Sequence, residues 1–336
     1  MTSCDDKVTS QAHDTMWHRK QTHTQEDKTM AKGFDVYEMI TKRFIEKMEE
    51  GKIPWVKPWH TDSYKGVSEM FPAFSYSTKK PYDIINQMLL GFTPGEYLTF
   101  KQIKGLGGKV KKGEKASIVV GWVVTDNKVK GEDGKVLLDE DGNEVTRKRF
   151  GLRYYNVFNV LTQVEGIEPH KVWELDKTPE TIADPNEAAE AIINRYLESG
   201  DAPKFIVEKS NRAYYSPAFD EVHIPEMKQF DCIEEYYSTA FHELTHSTLK
   251  ESRCNRQEKR EGKNVAHGSK EYSKEELVAE IGAAALVNIA GLETEKSFRN
   301  STAYLQGWLS ALKNDNRMII YASAEAQKAI NYILGK

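Results

Sequence analysis

The chain has 336 residues, of which 39% are hydrophobic and 29% charged, with a formal net charge of −4 at pH 7. This length suggests about two domains, and no apolar run approaches the length that spans a membrane, so we expect no membrane partner. The three cysteines, Cys4, Cys232 and Cys254, are too unevenly spaced for a disulfide framework, which fits a reducing, cytoplasmic location.

Residues 1–33 are predicted to be a disordered tail, because they are polar and lack the apolar core of a secretory signal. A first domain is predicted over residues 34–167. It opens with an amphipathic helix from Asp35 to Met48, whose apolar residues recur at helical spacing. Two prolines force the next segment, 53–59, into an extended path that carries two tryptophans and a lysine.

The remainder of this first domain combines basic and aromatic residues. A lysine-rich stretch, 101–115, contains a single carboxylate and is followed by a strand candidate from Ser117 to Val124. Two Asp-Gly pairs then predict hairpin turns, and residues 147–160 return as a strand in which basic and aromatic residues alternate. Basic side chains that follow phosphates, together with rings that stack on bases, are typical of surfaces that bind single-stranded nucleic acid.

Binding of single-stranded DNA by this domain is therefore a hypothesis, set against two simpler interpretations. Most of the aromatic residues fit a core equally well, and the lysine run fits a solvated loop. Basic residues outnumber acidic ones from 31 to 167 and the reverse holds elsewhere, so the two halves are expected to have different partners. The candidate DNA contacts are Trp55, Lys57, Trp59, Lys101, Lys104, Lys109, Lys111, Lys112, Lys115 and Arg153.

A linker rich in proline and charge is predicted over residues 168–186, followed by a second domain over 187–336. Apolar residues at helical spacing from 233 to 249 predict a helix that contains the pattern H-E-x-x-H. Since residues i and i+4 share a helix face, His242 and His246 can bind one metal ion. Glu243 would then be the general base toward a water molecule that the metal activates.

A later helix, predicted to start at Ser273, supplies the third ligand. Glu276 and Glu280 share one face of it, and Glu276 is the favoured ligand, with Glu280 accepting a hydrogen bond from the other ring N–H of a ligand histidine. The two roles could be reversed. Ser273 and Glu276 also match a capping box, which offers Glu276 a purely structural role. Zinc is the default metal for two histidines and a carboxylate, and manganese is the alternative.

Several short motifs occur in order along the chain: Ile53-Pro-Trp-Val-Lys-Pro-Trp, Leu98-Thr-Phe-Lys-Gln, Leu152-Arg-Tyr-Tyr-Asn-Val-Phe-Asn, His242-Glu-Leu-Thr-His and Glu276-Leu-Val-Ala-Glu-Ile-Gly. The ordered set resembles the ArdC-type antirestriction proteins of conjugative plasmids and mobile elements. The resemblance implies an N-terminal domain that binds single-stranded DNA, a C-terminal zincin-like metallopeptidase domain and protection of incoming DNA from host restriction. It also favours Glu276 over Glu280 as the ligand. The chain departs from the family pattern in its long N-terminal tail and in an acidic hairpin near 126–146.

We therefore predict an α+β protein, in which a mixed α/β domain that binds single-stranded DNA precedes a mainly helical, zincin-like metallopeptidase domain. The expected partners are single-stranded DNA and an unidentified protein substrate, with Zn²⁺ or Mn²⁺ as cofactor; the sequence predicts no oligomeric state. Two alternatives are a non-enzymatic DNA-coating protein with a structural metal site and a general cytoplasmic metalloprotease without DNA binding. Glu243 favours an enzyme over the first alternative, because a purely structural site needs no base.

Overall fold

The computed structural model describes residues 35–56, 71–131, 133–171, 173, 185–256, 269–292 and 302–336. From Val36 onward the chain forms a single unit that mixes helices and strands, which confirms the predicted α+β fold class. None of the helices in these segments is both long and apolar enough to cross a lipid bilayer. The predicted tail lies outside the described residues, as does most of the predicted linker.

The described part of the first half contains α1 (Val36–Glu49), β1 (Ala73–Ser75), α2 (Ile84–Leu89), β2 (Gly95–Thr99), α3 (Phe100–Gly105), β3 (Lys109–Val110), β4 (Ser117–Lys128), β5 (Thr146–Asn159), α4 (Val160–Gln163) and β6 (Val164–Glu165). Four strands form a sheet in the order β1-β2-β5-β4, which is parallel between β1 and β2 and antiparallel elsewhere. The short strands β3 and β6 form a separate antiparallel pair.

Strands β4 and β5 extend well beyond the rest of this sheet. They pair with each other over twelve residues, whereas β2 pairs only with the last three residues of β5. Their outer part is therefore a two-stranded structure, which we call the β4–β5 ribbon. Asn86 of α2 fastens the base of the ribbon, because its side chain accepts a hydrogen bond from the N–H of Val120 at 2.7 Å and donates one to the carbonyl of Val120 at 2.9 Å.

The second half is mainly helical, and its elements are α5 (Pro185–Leu197), β7 (Lys204–Glu208), β8 (Tyr214–Ser216), β9 (Glu221–Pro225), a 3-10 helix (Met227–Gln229), α6 (Ile233–Ser247), α7 (Lys270–Ile289), α8 (Thr302–Asn314) and α9 (Met318–Ile333). The three strands form a sheet in the order β7-β9-β8, with β7 parallel and β8 antiparallel to β9. Helix α6 packs against this sheet on one side and against α7 on another.

A glycine lets α7 approach α6 closely. A Cβ atom at Gly282 would lie 2.6 Å from Cγ2 of Thr245, which is closer than non-bonded carbon atoms come. Thr245 is fully buried, and its hydroxyl donates a hydrogen bond to the carbonyl of Phe241 at 2.7 Å. The two helices therefore lie near enough for side chains of both to meet at one point.

The largest hydrophobic core is shared by both halves of the chain. It includes Ile40 and Phe44 from α1 together with Leu312 from α8 and Ile320 from α9. Trp55 also belongs to this core, with 1% of its surface exposed and its ring edge-on to Trp308 at a centroid distance of 6.1 Å. The prediction that Trp55 contacts DNA is therefore wrong, because burying this large ring against α8 leaves no face on which a base could stack.

Candidate metal centre

Helix α6 carries the H-E-x-x-H pattern. It buries Tyr237, Phe241 and Leu244 in the core, and two glutamates in its first turn lie where the helix dipole favours negative charge. Nε2 of His242 and Nε2 of His246 lie 3.1 Å apart, with the two rings nearly perpendicular. The one-turn spacing of the two histidines thus produces a pair of ring nitrogens aimed at the same point.

Glu276 of α7 reaches the same point from the facing helix. Its carboxylate oxygens lie 3.5 Å from Nε2 of His242 and 3.5 Å from Nε2 of His246. Among the described residues, these three form the only group of His, Cys, Asp or Glu side chains close enough together to hold a metal ion. Ligand atoms about 2.0–2.1 Å from a tetrahedral zinc ion lie roughly 3.3–3.4 Å from one another. The observed separations therefore fit a divalent metal.

The start of α7 differs from the prediction. The helix begins at Lys270, and its cap is Ser269, whose hydroxyl accepts a hydrogen bond from the N–H of Tyr272 at 3.2 Å. Ser273 lies inside the helix and donates to the carbonyl of Ser269 at 3.0 Å. The predicted capping box of Ser273 and Glu276 is therefore wrong, because an earlier serine already caps the helix. Glu276 lies in the second turn, where it faces α6 instead of a helix end.

A buried ion pair lies behind His246. Glu275 is 5% exposed and Arg256 is fully buried, and the guanidinium donates to both carboxylate oxygens at 2.7 and 3.0 Å. The same carboxylate lies 3.4 Å from Nδ1 of His246. Arg256 also donates to the hydroxyl of Thr248 and the carbonyl of Thr245 near the end of α6. Together these contacts fix the ring so that Nε2 is the atom presented to Glu276.

A supporting role of this kind was predicted for Glu280, and it stays a prediction for the other ligand histidine, His242. Glu280 lies half-buried one turn further along α7, whereas the carboxylate that faces Nδ1 of His246 belongs to Glu275. Neither Glu275 nor Arg256 was identified from the sequence. The available signal was the acidic pair formed by Glu275 and Glu276, because adjacent helix positions point about 100° apart and can serve the front and the back of one site.

The charges at this centre are strongly coupled. Burial alone would lower the pKa of His246, but hydrogen bonds with Glu275 and Glu276 raise it to about 10. Burial would raise the pKa of Glu275, but the charge of Arg256 and the contact with His246 lower it to about 2. Burial opposes ionisation of Glu276 too, yet its contacts with both histidines hold its pKa well below the usual range. The metal-free centre therefore keeps a proton on His246 that a metal ion would have to displace.

Two further groups lie beside the three ligands. Glu243 follows His242 on α6 and is 8% exposed, so its carboxylate is largely shielded from bulk water. Tyr272 hydrogen-bonds with Glu276, and its pKa is raised first by burial and then by the charges of Glu276 and Glu243. A carboxylate, a phenol and three metal-binding side chains thus meet where α6 and α7 face each other. Such a set is suited to hydrolysis by a metal-activated water molecule.

Other residues considered in the sequence lie away from this centre. His223, taken there as a strand-face residue, lies in β9, with Nδ1 2.9 Å from Glu208 and its ring stacked on Tyr214. Cys232 and Cys254 are free thiols outside the group of ligands.

The candidate DNA contacts differ in how exposed their side chains are. Lys111 is half-buried, and its ammonium group donates to the carbonyl of Thr162 at 2.7 Å. Lys57 and Trp59 lie outside the described residues. The exposed candidates are Lys101 and Lys104 on α3, Lys109 on β3, Lys112 and Lys115 in the following loop, and Arg153 on β5.

Two family models match separate parts of the chain. A family model described as the N-terminal domain of anti-restriction factor ArdC matches residues 34–158, and one described as a zincin-like metallopeptidase matches residues 191–325. The crystal structure of the antirestriction ArdC protein from plasmid R388, in its metal-free form, is 32% identical, covers 90% of this chain and 97% of its own, and superposes with a TM-score of 0.64. Its Mn(II)-bound form, also 32% identical, covers 90% and 98% with a TM-score of 0.62.

Two curated proteins extend this similarity. The protein y4eC of Sinorhizobium fredii is 30% identical over 91% of this chain and 94% of its own length. The DNA primase TraC of Escherichia coli is 31% identical over 89% of this chain, which spans only 27% of the length of that primase. The fold and the site therefore indicate the class of protein in which an antirestriction-type N-terminal domain is combined with a zincin-like metallopeptidase fold. Within that class, the chain belongs to the ArdC family of antirestriction proteins.

Proposed function

We propose that this chain is an antirestriction protein of a mobile element that binds single-stranded DNA and hydrolyses peptide bonds at its metal centre. The observation that carries the peptidase proposal is the meeting of His242, His246 and Glu276 at 3.1–3.5 Å, beside the buried Glu243. Residues 34–167 would bind the DNA and residues 187–336 would form the peptidase, joined by the segment 168–186. The proposed substrate is a cytoplasmic protein.

The chain's own residues would divide the chemistry as follows. A bound divalent cation would polarise the scissile carbonyl and make a water molecule more acidic. Glu243 would take one proton from that water and deliver it to the departing amine nitrogen, while the hydroxide adds to the carbonyl carbon. Tyr272 would donate a hydrogen bond to the carbonyl oxygen as negative charge develops there. Glu275 and Arg256 would keep His246 in a single orientation.

Strand β8 offers a place for the peptide. It is an edge strand of the described three-stranded sheet and packs against α6. An extended peptide would add to its free edge through backbone hydrogen bonds, which explains how a peptidase of this kind would bind chains of varied sequence. Zinc remains the default for two histidines and a carboxylate, and the Mn(II)-bound relative supports manganese as the alternative.

The peptidase proposal is tested by replacing the base alone. Glu243→Gln keeps the size of the side chain but removes its ability to accept a proton, so cleavage of a quenched casein probe should fall by at least 100-fold while bound metal stays the same. Glu251→Gln is the matched control, since Glu251 is exposed beyond the end of α6. Cleavage that is equal in both variants would reject Glu243 as the base. Absence of cleavage by the metal-loaded parent chain would favour the DNA-coating alternative.

The DNA-binding proposal is tested separately on the full chain. Binding of labelled single-stranded and duplex oligonucleotides is measured across a salt series, with and without a chelator. Preference for the single strand and weakening with salt are expected, because release of counterions from phosphates drives such binding. No binding at low salt would reject this half of the proposal and favour a general metalloprotease.

A further inference from the structure

The β4–β5 ribbon has two chemically different faces. In an antiparallel pair, side chains of directly opposite residues lie on the same side of the sheet. The pairs Val120–Tyr154, Trp122–Leu152 and Val124–Phe150 therefore share one side, which we call the aromatic face. It presents one large ring at each of three successive pairs, with exposed fractions of 38% for Tyr154, 56% for Trp122 and 67% for Phe150. Rings of this size are seldom left so exposed in a row without a ligand.

The other side of the ribbon carries arginines. Gly121 pairs with Arg153, Thr125 with Arg149 and Asn127 with Arg147, so the three guanidinium groups lie along one side of β5, together with the ring of Tyr155. All three arginines are exposed, and no acidic side chain among the described residues forms an ion pair with them. Residues 117–125 and 149–157 contain no Asp or Glu at all. The inner part of the ribbon therefore carries positive charge, from Arg149 and Arg153, and no negative charge.

The spacing of the rings suits bases that are spread apart. Same-face positions on a strand repeat every two residues, which is about 7 Å. This distance is about twice the roughly 3.4 Å between bases stacked along one strand of a duplex. A duplex therefore cannot place successive bases on successive rings, whereas an unpaired and extended strand can.

A cavity adjoins the aromatic face. It has a volume of about 160 Å³ and lies between the ribbon, α2 and α9, with Trp122, Leu152, Ile320 and Gln327 in its lining. An apolar cavity of roughly 150 Å³ is sufficient to hold one benzene molecule. The recess therefore has room for a single aromatic ring at the inner end of the face.

We propose that the β4–β5 ribbon is the surface on which this chain holds single-stranded nucleic acid, with successive bases stacked on Tyr154, Trp122 and Phe150. Because the ribbon is only two strands wide, with about 5 Å between strands, the arginine side chains of β5 extend round its edge to the phosphates. This inference rests on the proposed DNA binding and names its surface. Of the residues predicted from sequence to contact DNA, it retains Arg153 and replaces the lysines with the ribbon's rings as the main contacts.

Single alanine substitutions in the full chain test the stacking contacts. Removing a ring that stacks on a base weakens binding by about 1–3 kcal/mol, or roughly 5- to 150-fold, so Trp122→Ala and Phe150→Ala should each weaken binding of a labelled oligothymidine by such a factor. The dependence on salt should stay unchanged, because no charge is removed. Phe219→Ala is the matched control, since Phe219 is 76% exposed in the second half of the chain.

The arginines require a different measurement. Arg149→Gln and Arg153→Gln should each lower the slope of log affinity against log salt by about 0.7, which corresponds to one lost phosphate contact on a single strand. Arg212→Gln, an exposed arginine outside the ribbon, should leave that slope unchanged. As a check independent of substitution, an iodouracil-labelled strand should crosslink to Trp122, Tyr154 or Phe150.

The results that would reject the ribbon as the binding surface differ from those that would reject DNA binding itself. If the parent chain binds single-stranded DNA and every ribbon variant binds as well as its control, the DNA-binding function stands and the ribbon is not its surface. A crosslink confined to Phe100, which lies beside the lysine-rich stretch and is 60% exposed, would lead to the same conclusion. If the parent chain does not bind the oligonucleotide at low salt, both proposals are rejected.

Discussion

The ion pair between Glu275 and Arg256 should stabilise the protein measurably. Glu275→Gln keeps the shape of the side chain but removes the carboxylate charge that pairs with the buried guanidinium of Arg256. A folded pKa of about 2 for Glu275, against an ordinary value of 4.5, corresponds to about 3 kcal/mol of stability at pH 7. That figure agrees with the roughly 3–5 kcal/mol typical of removing one partner of a buried pair.

The sign of the pH dependence follows from the lowered pKa. The charged carboxylate contributes its full stabilisation above pH 4.5, and that contribution is lost as the pH falls toward 2. Urea unfolding of the parent chain and of Glu275→Gln, both in a chelator, should therefore differ by about 3 kcal/mol at pH 7 and by roughly half as much at pH 3. Equal stabilities at pH 7, or a difference that does not shrink with acid, would refute this account of the pair.

Two further predictions concern the helix contact and the metal centre. Gly282→Ala should destabilise the chain by about 1–3 kcal/mol because its Cβ would overlap Thr245, and Thr245→Ala in the same background should recover part of the loss. Gly307→Ala, in open space on α8, should be neutral or stabilising, and equal behaviour of the two glycines in thermal unfolding would contradict the close contact. Because the pKa of His246 is about 10, metal binding at pH 7 should release about one proton. Calorimetry in buffers of different ionisation enthalpy measures that release, and heats independent of the buffer would argue against a protonated His246.

The sequence was most informative where the relative positions of the residues are set within a single helix. The spacing of His242 and His246 determines their meeting because both lie on α6, and the periodic apolar residues of α1 and α6 predict those helices directly. Glu276 required the further inference that a second helix faces the first, which short-range patterns do not contain. The glycine at 282 permits that approach, yet in the sequence it looks like any other helical glycine.

The wrong prediction for Trp55 and the omission of Arg256 share one physical cause, which is that burial depends on packing between distant segments. Trp55 lies in a proline-containing stretch that was predicted to be extended and exposed, but Trp308 of α8 covers its ring. Arg256 lies in a polar stretch, and no pattern near it in the sequence indicates that it pairs with Glu275, nineteen residues later. The register of β4 against β5 likewise decides that Trp122 lies on the same side as Tyr154 and Phe150, and a one-residue shift would have placed it on the arginine side.

The shared core has a consequence for how the chain can be divided. Helix α1 lies within the region matched by the N-terminal ArdC family model, yet Thr41 donates a hydrogen bond to the carbonyl of Asn316, and Ile40 and Phe44 pack with α8 and α9. A peptidase fragment made without the first 186 residues would expose that apolar surface and would be prone to aggregate. The two halves are therefore expected to unfold together, and a substitution that weakens the packing of one should lower the stability of the other.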